Sequence, residues 1–304
     1  MGRARAPSRS GYAQGAGARI WYRTMGRGEP LVLLHGGPGA DHTDFLPYLA
    51  PLAKRFRLVL FDQRGCGRSE RLAETRRYRL DRMVADLEAL RRHLGIARWH
   101  VLGHSFGGIL AQAYAIRHPT RITSLILAGT GSSGRSVDAD FRRILQCQTK
   151  RTRAQLATFE RRGIYLPDGG YAPDYAALSA RILGPYMYAG ARPKGPAAPI
   201  ATDVLGEMWS RHTEFRITGN LKGFDFTRRL GRIRAPVLIV AGDLDLVSPA
   251  TLELTRSSCR NATLVIIGRC AHMMFVDQTR FFNELVGMFL QQNRVASRRQ
   301  GGSR

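Results

Sequence analysis

Gly103-His104-Ser105-Phe106-Gly107 sets a serine between two glycines, with an apolar run at 99–102 before it and a helical pattern to residue 117 after it. A strand–turn–helix elbow of this kind holds the serine backbone in a strained conformation and bares its hydroxyl. The helix N-terminus beneath it favours developing negative charge. A serine hydroxyl attacks only with a base beside it. Of the eight histidines, only His212 and His272 follow Ser105 by more than one helix. His212 precedes the late apolar runs, whereas His272 directly follows the last of them, 264–267, so His272 is the expected base. The acid belongs in the loop after the run at 237–241, where Asp243 and Asp245 compete. The loop needs room to turn before a carboxylate can point at an imidazole, which favours Asp245. Its role is to hold the His272 tautomer and stabilise the imidazolium.

His35-Gly36-Gly37-Pro38-Gly39 follows another apolar run, 31–34. Its glycines let backbone approach a ligand closely, and the N–H groups of Gly37 and Phe106 are the expected oxyanion donors. Phosphate binding is discounted, because the loop lacks a lysine, the G-x-G-x-x-G spacing and an acidic ribose partner. His35 reads as a residue that shapes the loop. The chemistry these residues specify is acyl transfer through a serine ester, which needs no cofactor and no metal.

The elements that must position them follow a regular rhythm. An aromatic-rich strand at 19–23 and short apolar runs at 31–34, 58–61, 100–102, 125–128, 237–241 and 264–267 alternate with helical patterns such as 81–94, apolar at 83, 84, 87, 90 and 94. Continuous apolar runs suit a buried parallel sheet, and the alternation predicts helices on both faces. The rhythm breaks at 131–225, which is helical, arginine-rich and aromatic, with a Pro/Gly loop at 190–199. That segment reads as a helical cap inserted into an α/β core of 18–130 and 226–292. Residues 1–17 and 293–304 read as flexible basic ends.

The formal net charge is +24, and only four of the 47 basic residues are lysine. The arginines are spread along the chain without a nucleic-acid motif, so a solvated basic surface is expected, and no nucleic acid. No apolar run is long enough for a membrane span, and the arginine- and glycine-rich start lacks a secretory signal's apolar core. Cys66, Cys147, Cys259 and Cys270 show neither metal-ligand nor disulfide-framework spacing, which points to free thiols in the cytoplasm. Cys66 and Cys270 are expected beside the site, where a bulky thiol reagent would obstruct it.

Together His35–Gly39, Asp62-Gln63-Arg64-Gly65-Cys66-Gly67-Arg68-Ser69, the elbow, the loop at 242–249 and His272 resemble the proline iminopeptidase family of α/β hydrolases, the tricorn-interacting aminopeptidases included. The resemblance covers 18–292. It implies an α/β-hydrolase core with a helical cap, and release of an N-terminal residue, often proline, from short peptides or amides. It also implies carboxylates near the cap that bind the substrate amine. Glu214 matches one such position, but Leu246 stands where a second is often found, and Glu207 is a possible substitute. Trp209, Phe215 and Phe106 are expected to line an apolar acyl pocket. Three readings stay open: an aminopeptidase or amino-acid amidase, an esterase or other small-molecule acyl hydrolase without need of a free amine, and a non-catalytic binding protein on the same fold.

Overall fold

A computed structural model describes residues 8–166, 170–191, 193–194 and 199–301, with side chains as far as Arg294. The apolar runs form strands β2 (Arg19–Met25), β3 (Glu29–Leu34), β4 (Phe56–Phe61), β5 (Trp99–His104), β6 (Ile122–Ala128), β7 (Val237–Gly242) and β8 (Ala262–Ile267), joined by β1 (Ser8–Gln14). They make one sheet in the order β1-β2-β4-β3-β5-β6-β7-β8. From β4 to β8 every pairing is parallel, while β1 and β2 are antiparallel additions at one edge.

Successive side chains of a strand point to opposite faces, and here both faces are dry. Val32, Leu34, Val59, Val101, Leu127 and Ile239 pack on one side with α1 (Leu80–His93), α2 (Phe106–Arg117) and α8 (Pro249–Ser258). Leu31, Leu33, Leu58, Leu102, Ile126 and Val240 pack on the other with α9 (Met274–Asp277) and α10 (Thr279–Gly301). Between β6 and β7 the chain runs through α3 (Gly134–Gln146), α4 (Lys150–Arg162), α5 (Pro173–Met187), α6 (Thr202–Met208) and α7 (Thr227–Leu230). Residues 192 and 195–198 of the expected Pro/Gly loop lie outside the described residues. No described helix is long and apolar enough to cross a membrane.

Two expectations about the ends are corrected. Ser8–Gln14 is not a flexible arm: it pairs along its whole length with β2, from Ser8 opposite Met25 to Gln14 opposite Arg19. An edge strand can be held by backbone hydrogen bonds while most of its side chains stay exposed, so it carries no apolar run. At the other end, α10 continues to Gly301. Its buried Phe282, Val286 and Leu290 fix the first turns, and adding a residue to an existing helix is far easier than starting one. Residues 1–7 and 302–304 lie outside the described residues.

The loop after β4 is anchored by Arg64. Its guanidinium donates from Nε and Nη2 to the Asp86 carboxylate of α1, both at 2.7 Å, and Nη2 also reaches the carbonyls of Ala16 and Arg82 at 3.2 Å. Both side chains are buried. Asp86 Oδ1 also accepts the Ala16 N–H at 2.7 Å, so a single ion pair ties the β1–β2 turn, α1 and the loop. Removing one member of a buried pair leaves the other charge uncompensated. Asp86→Ala should therefore lower the unfolding free energy by about 3–5 kcal/mol. Urea denaturation measures it, and a loss below about 1 kcal/mol would mean that the pair behaves as a surface bridge.

Candidate active site

The loops singled out by sequence all follow the carboxyl ends of parallel strands, the edge at which open α/β sheets bind ligands. Ser105 lies between β5 and α2, capping the helix with φ 54 and ψ −122. A non-glycine residue at positive φ is strained, and here close packing enforces it. A Cβ on Gly107 would meet the Leu34 carbonyl oxygen at 2.0 Å, so only glycine lets α2 come this close to β3. The Ser105 N–H donates to Ala128 O of β6 at 2.9 Å.

Asp245 and His272 are brought together. His272 Nδ1 and Asp245 Oδ1 are 2.8 Å apart, and both residues are buried. The same oxygen accepts the Val247 N–H at 3.0 Å. Asp243 is placed elsewhere: its carboxylate accepts the N–H groups of Arg269 and Cys270 at 3.0 and 2.9 Å. These bonds hold its pKa below the usual range, that of Cys270 contributing most. Asp243 thus fixes the loop that carries His272. The floor under the Asp245–His272 pair is Gly129, at φ 55, where a Cβ would meet His272 Nδ1 at 2.9 Å and Asp245 Oδ2 at 3.0 Å. Gly129 was not singled out from the sequence, although a glycine directly after an apolar run is its visible sign.

The backbone of His272 is held as firmly. The His272 N–H donates to Tyr186 O and the Met273 N–H to Met187 O, both at 2.9 Å, which joins this loop to the end of α5. His104 Nε2 lies 2.9 Å from His272 O. Because a carbonyl only accepts, His104 carries its proton on Nε2. Burial, helped by the neighbouring His272, pushes its pKa down to about 3 and keeps it neutral.

Gly37, at φ 106, and Phe106 both line the cavity that Ser105 and His272 share. His35 lies behind the glycine loop. Its Nε2 accepts the Gln63 N–H at 3.0 Å, its Nδ1 donates to Gly36 O at 3.1 Å, and Gln63 Nε2 returns a bond to His35 O at 2.8 Å. Asp41, His42 and Asp62 bring one potential metal-ligand atom each within 4.8 Å of one another. Those atoms are already engaged. Asp62 Oδ1 takes the His42 N–H and Nδ1, its Oδ2 takes the Arg68 N–H, and Asp41 Oδ1 takes the Thr43 N–H and hydroxyl.

The cavity encloses about 370 Å³. Glu214 and Trp209 line it, and Trp209 Nε1 donates to Glu214 O at 2.9 Å. The Glu214 carboxylate accepts the hydroxyls of Tyr171, Ser179 and, at 3.1 Å, Tyr175. Burial and then the Glu214 charge push both phenols above their ordinary pKa. These three hydroxyls were not anticipated; Tyr175 and Ser179 lie four residues apart on one face of α5, while Tyr171 precedes the helix in a bridge to Tyr165. Leu246 also lines the cavity.

Other expectations are corrected. Phe215 is buried edge-on against Phe141 and is not among the residues lining this cavity, because Phe141 stands in front of it. Glu207 is engaged outside, with Arg211 Nη2 at 2.6 Å and Asn220 Nδ2 at 3.3 Å. Cys66 and Cys270 are fully buried without lining the cavity, and burial raises both thiols, Cys270 to about 12. A thiol reagent therefore lacks the path to them that their positions in the sequence suggested.

Residues 29–167 match the family described as the alpha/beta hydrolase fold. A proline iminopeptidase of Lactobacillus crispatus (strain ST1) is 32% identical over 289 residues, spanning 91% of this chain and 96% of that protein. One of Heyndrickxia coagulans is 29% identical over 289 residues, 92% of this chain and 98% of that protein. The crystal structure of a proline iminopeptidase from Mycobacterium smegmatis is similar with a TM-score of 0.74 at 25% identity, covering 95% of this chain and 100% of the other. The chain belongs to the proline iminopeptidase family of α/β hydrolases.

Proposed function

We propose that this protein is an aminopeptidase that releases an N-terminal residue, proline foremost, from short peptides or amides through an acyl-enzyme on Ser105. One observation carries the reading. In a chain of net charge +24, the cavity shared by Ser105 and His272 holds the carboxylates of Glu214 and Asp44 and, among the described residues, no lysine or arginine. Such a wall suits a cation. An α-ammonium has a pKa of about 8 and is charged at neutral pH, and it needs a partner when water is removed from it. The aromatic wall of Phe106, Phe141 and Trp209 suits an apolar or cyclic side chain.

In this reading 131–225 is a cap over a core of 18–130 and 226–292, and Glu214 presents its carboxylate from the cap. His272 takes the Ser105 proton, Ser105 attacks the carbonyl, and the N–H groups of Gly37 and Phe106 bind the oxyanion. His272 then gives the proton to the leaving amine, and water releases the acyl group with His272 as base. Asp245 holds the imidazole in the Nδ1–H tautomer. Four cysteines without a disulfide accord with a cytoplasmic setting. Leu246 in the cavity wall favours a second reading, an acyl hydrolase that does not require a free amine.

Ser105→Ala and His272→Ala should each lower turnover by about 10³-fold or more, because such residues act as a unit. Asp245→Asn should cost far more than Asp243→Asn, which keeps an oxygen to accept a loop N–H. Steady-state kinetics on a prolyl arylamide settles the order, and equal losses would reverse the choice of acid.

Loss of one member of a desolvated charge pair costs about 2–5 kcal/mol. Glu214→Gln should thus lower kcat/KM for free-amine substrates by about 30-fold or more, with little effect on N-acetylated esters. Leu246→Glu should sharpen the preference for a free amine. If the wild type already prefers the acetylated ester and Glu214→Gln alters neither rate, the second reading replaces the first.

A further inference from the structure

Asp44 adds to the acidic wall of the cavity it shares with Ser105, but the acyl-transfer steps above give it no role of its own. It sits in the short helical turn that follows the glycine loop, in a half-buried position. Its neighbour Asp41 uses its carboxylate to cap that turn. Among the described residues, by contrast, the Asp44 carboxylate has neither a hydrogen bond nor an ion pair. Burial and the Asp41 charge push its pKa up to about 7, with only His42 opposing them. A carboxyl group in that condition is short of a cation.

Its position says what the cation belongs to. Asp44, Tyr188 and Met273 line both the catalytic cavity and a second groove beside it. Met273 directly follows His272. The imidazole must deliver its proton to the departing atom, so the leaving group lies on the His272 side of the scissile bond. That side opens past Met273 and Asp44 into the groove. The two carboxylates are held differently: Glu214 accepts three hydroxyls, from Tyr171, Tyr175 and Ser179, whereas Asp44 accepts no side-chain donor among the described residues. The basic side chains of the groove leave Asp44 unpaired. Arg71 pairs with Asp203 at 2.8 Å, Arg68 lies over the Trp21 ring, and neither these nor Lys194 forms an ion pair with Asp44.

We propose that Asp44 is a specificity-determining residue that binds a positive charge on the leaving group, so that the favoured substrates carry a basic residue or an amine just beyond the scissile bond. The inference rests on the acyl-enzyme reading of Ser105 and His272, and not on the amine role of Glu214. As the bond from carbonyl carbon to leaving nitrogen or oxygen breaks, the Ser105 ester forms. The Ser105 proton passes through His272 to the departing atom, and the cation on the leaving group stays charged throughout.

The test uses choline esters and their uncharged 3,3-dimethylbutyl isosteres, each with prolyl and N-acetylprolyl acyl groups, and rates corrected for alkaline reactivity. The wild type should favour the choline ester in kcat/KM by about tenfold. Asp44→Asn should bring that ratio close to one, and Asp44→Lys should take it below one, while Glu214→Gln leaves the ratio in place. A corrected wild-type ratio of one, or a ratio that Asp44→Asn and Asp44→Lys leave unchanged, overturns the proposal. Comparison of the prolyl and N-acetylprolyl series tests the Glu214 reading separately, so either can fail without the other.

Discussion

A serine at φ 54 and ψ −122 lies in a region that side chains avoid, at a cost of about 1–3 kcal/mol, and the surrounding packing serves to enforce it. The parallel register of β3, β5 and β6 brings the carboxyl ends of three strands side by side. The chain leaving β5 must turn at once into α2, because α2 packs against the backbone of β3 at Gly107. With Ser105 N–H bonded to β6 on one side and α2 pressed on β3 on the other, the hydroxyl has one place to be. The strain is sustained by the two dry faces of the sheet, which resist the shift that would relieve it.

His272 comes from the other end of the chain and is fixed by different means. Its loop hangs from Asp243 in the β7 loop, from Asp277, which accepts the Ala271 N–H at 2.9 Å, and from the carbonyls of Tyr186 and Met187 in α5. Asp277 also accepts the Ala189 N–H, at 3.0 Å from each oxygen. The segment beyond α5 and the loop of His272 are thus moored to one carboxylate. A displacement of α5 would pull directly on the imidazole, so the insertion between β6 and β7 and the catalytic edge of the sheet form one mechanical unit.

What the sequence made legible follows from which forces leave a pattern. The central strands β3 to β7 were visible because burial on both faces demands continuous apolar runs, and the elbow was visible because its glycines answer steric limits that no other residue meets. β1 was not, since Ser8–Gln14 is held by backbone bonds that any side chains allow. Asp245 could be preferred over Asp243 by loop length, but that Asp243 staples the loop of His272 depends on a hydrogen bond spanning 27 residues. Phe215 was misplaced because an aromatic residue carries no mark of whether it faces a cavity or stands behind the one that does. Of the hydroxyls around Glu214, those of Tyr175 and Ser179 were encoded at helical spacing, but nothing local ties them, or Tyr171 before the helix, to 214.

The charge of the chain bears on how the Glu214 carboxylate is kept in the cavity wall. Arginine in excess is tolerated on a surface, where the guanidinium stays hydrated and its stem covers apolar atoms. Inside, the only fully buried arginine among the largest buried side chains, Arg64, is paired with Asp86. The catalytic cavity lies apart from this excess. Within it Leu246 removes a possible charge, while Tyr171, Tyr175 and Ser179 all donate to Glu214. Three donors orient the carboxylate before any ligand arrives, so little ordering cost falls on binding. Held this way, Glu214 shares the acidic part of the cavity wall with Asp44, and Tyr175 and Ser179 set its geometry from α5, the same helix that holds the loop of His272.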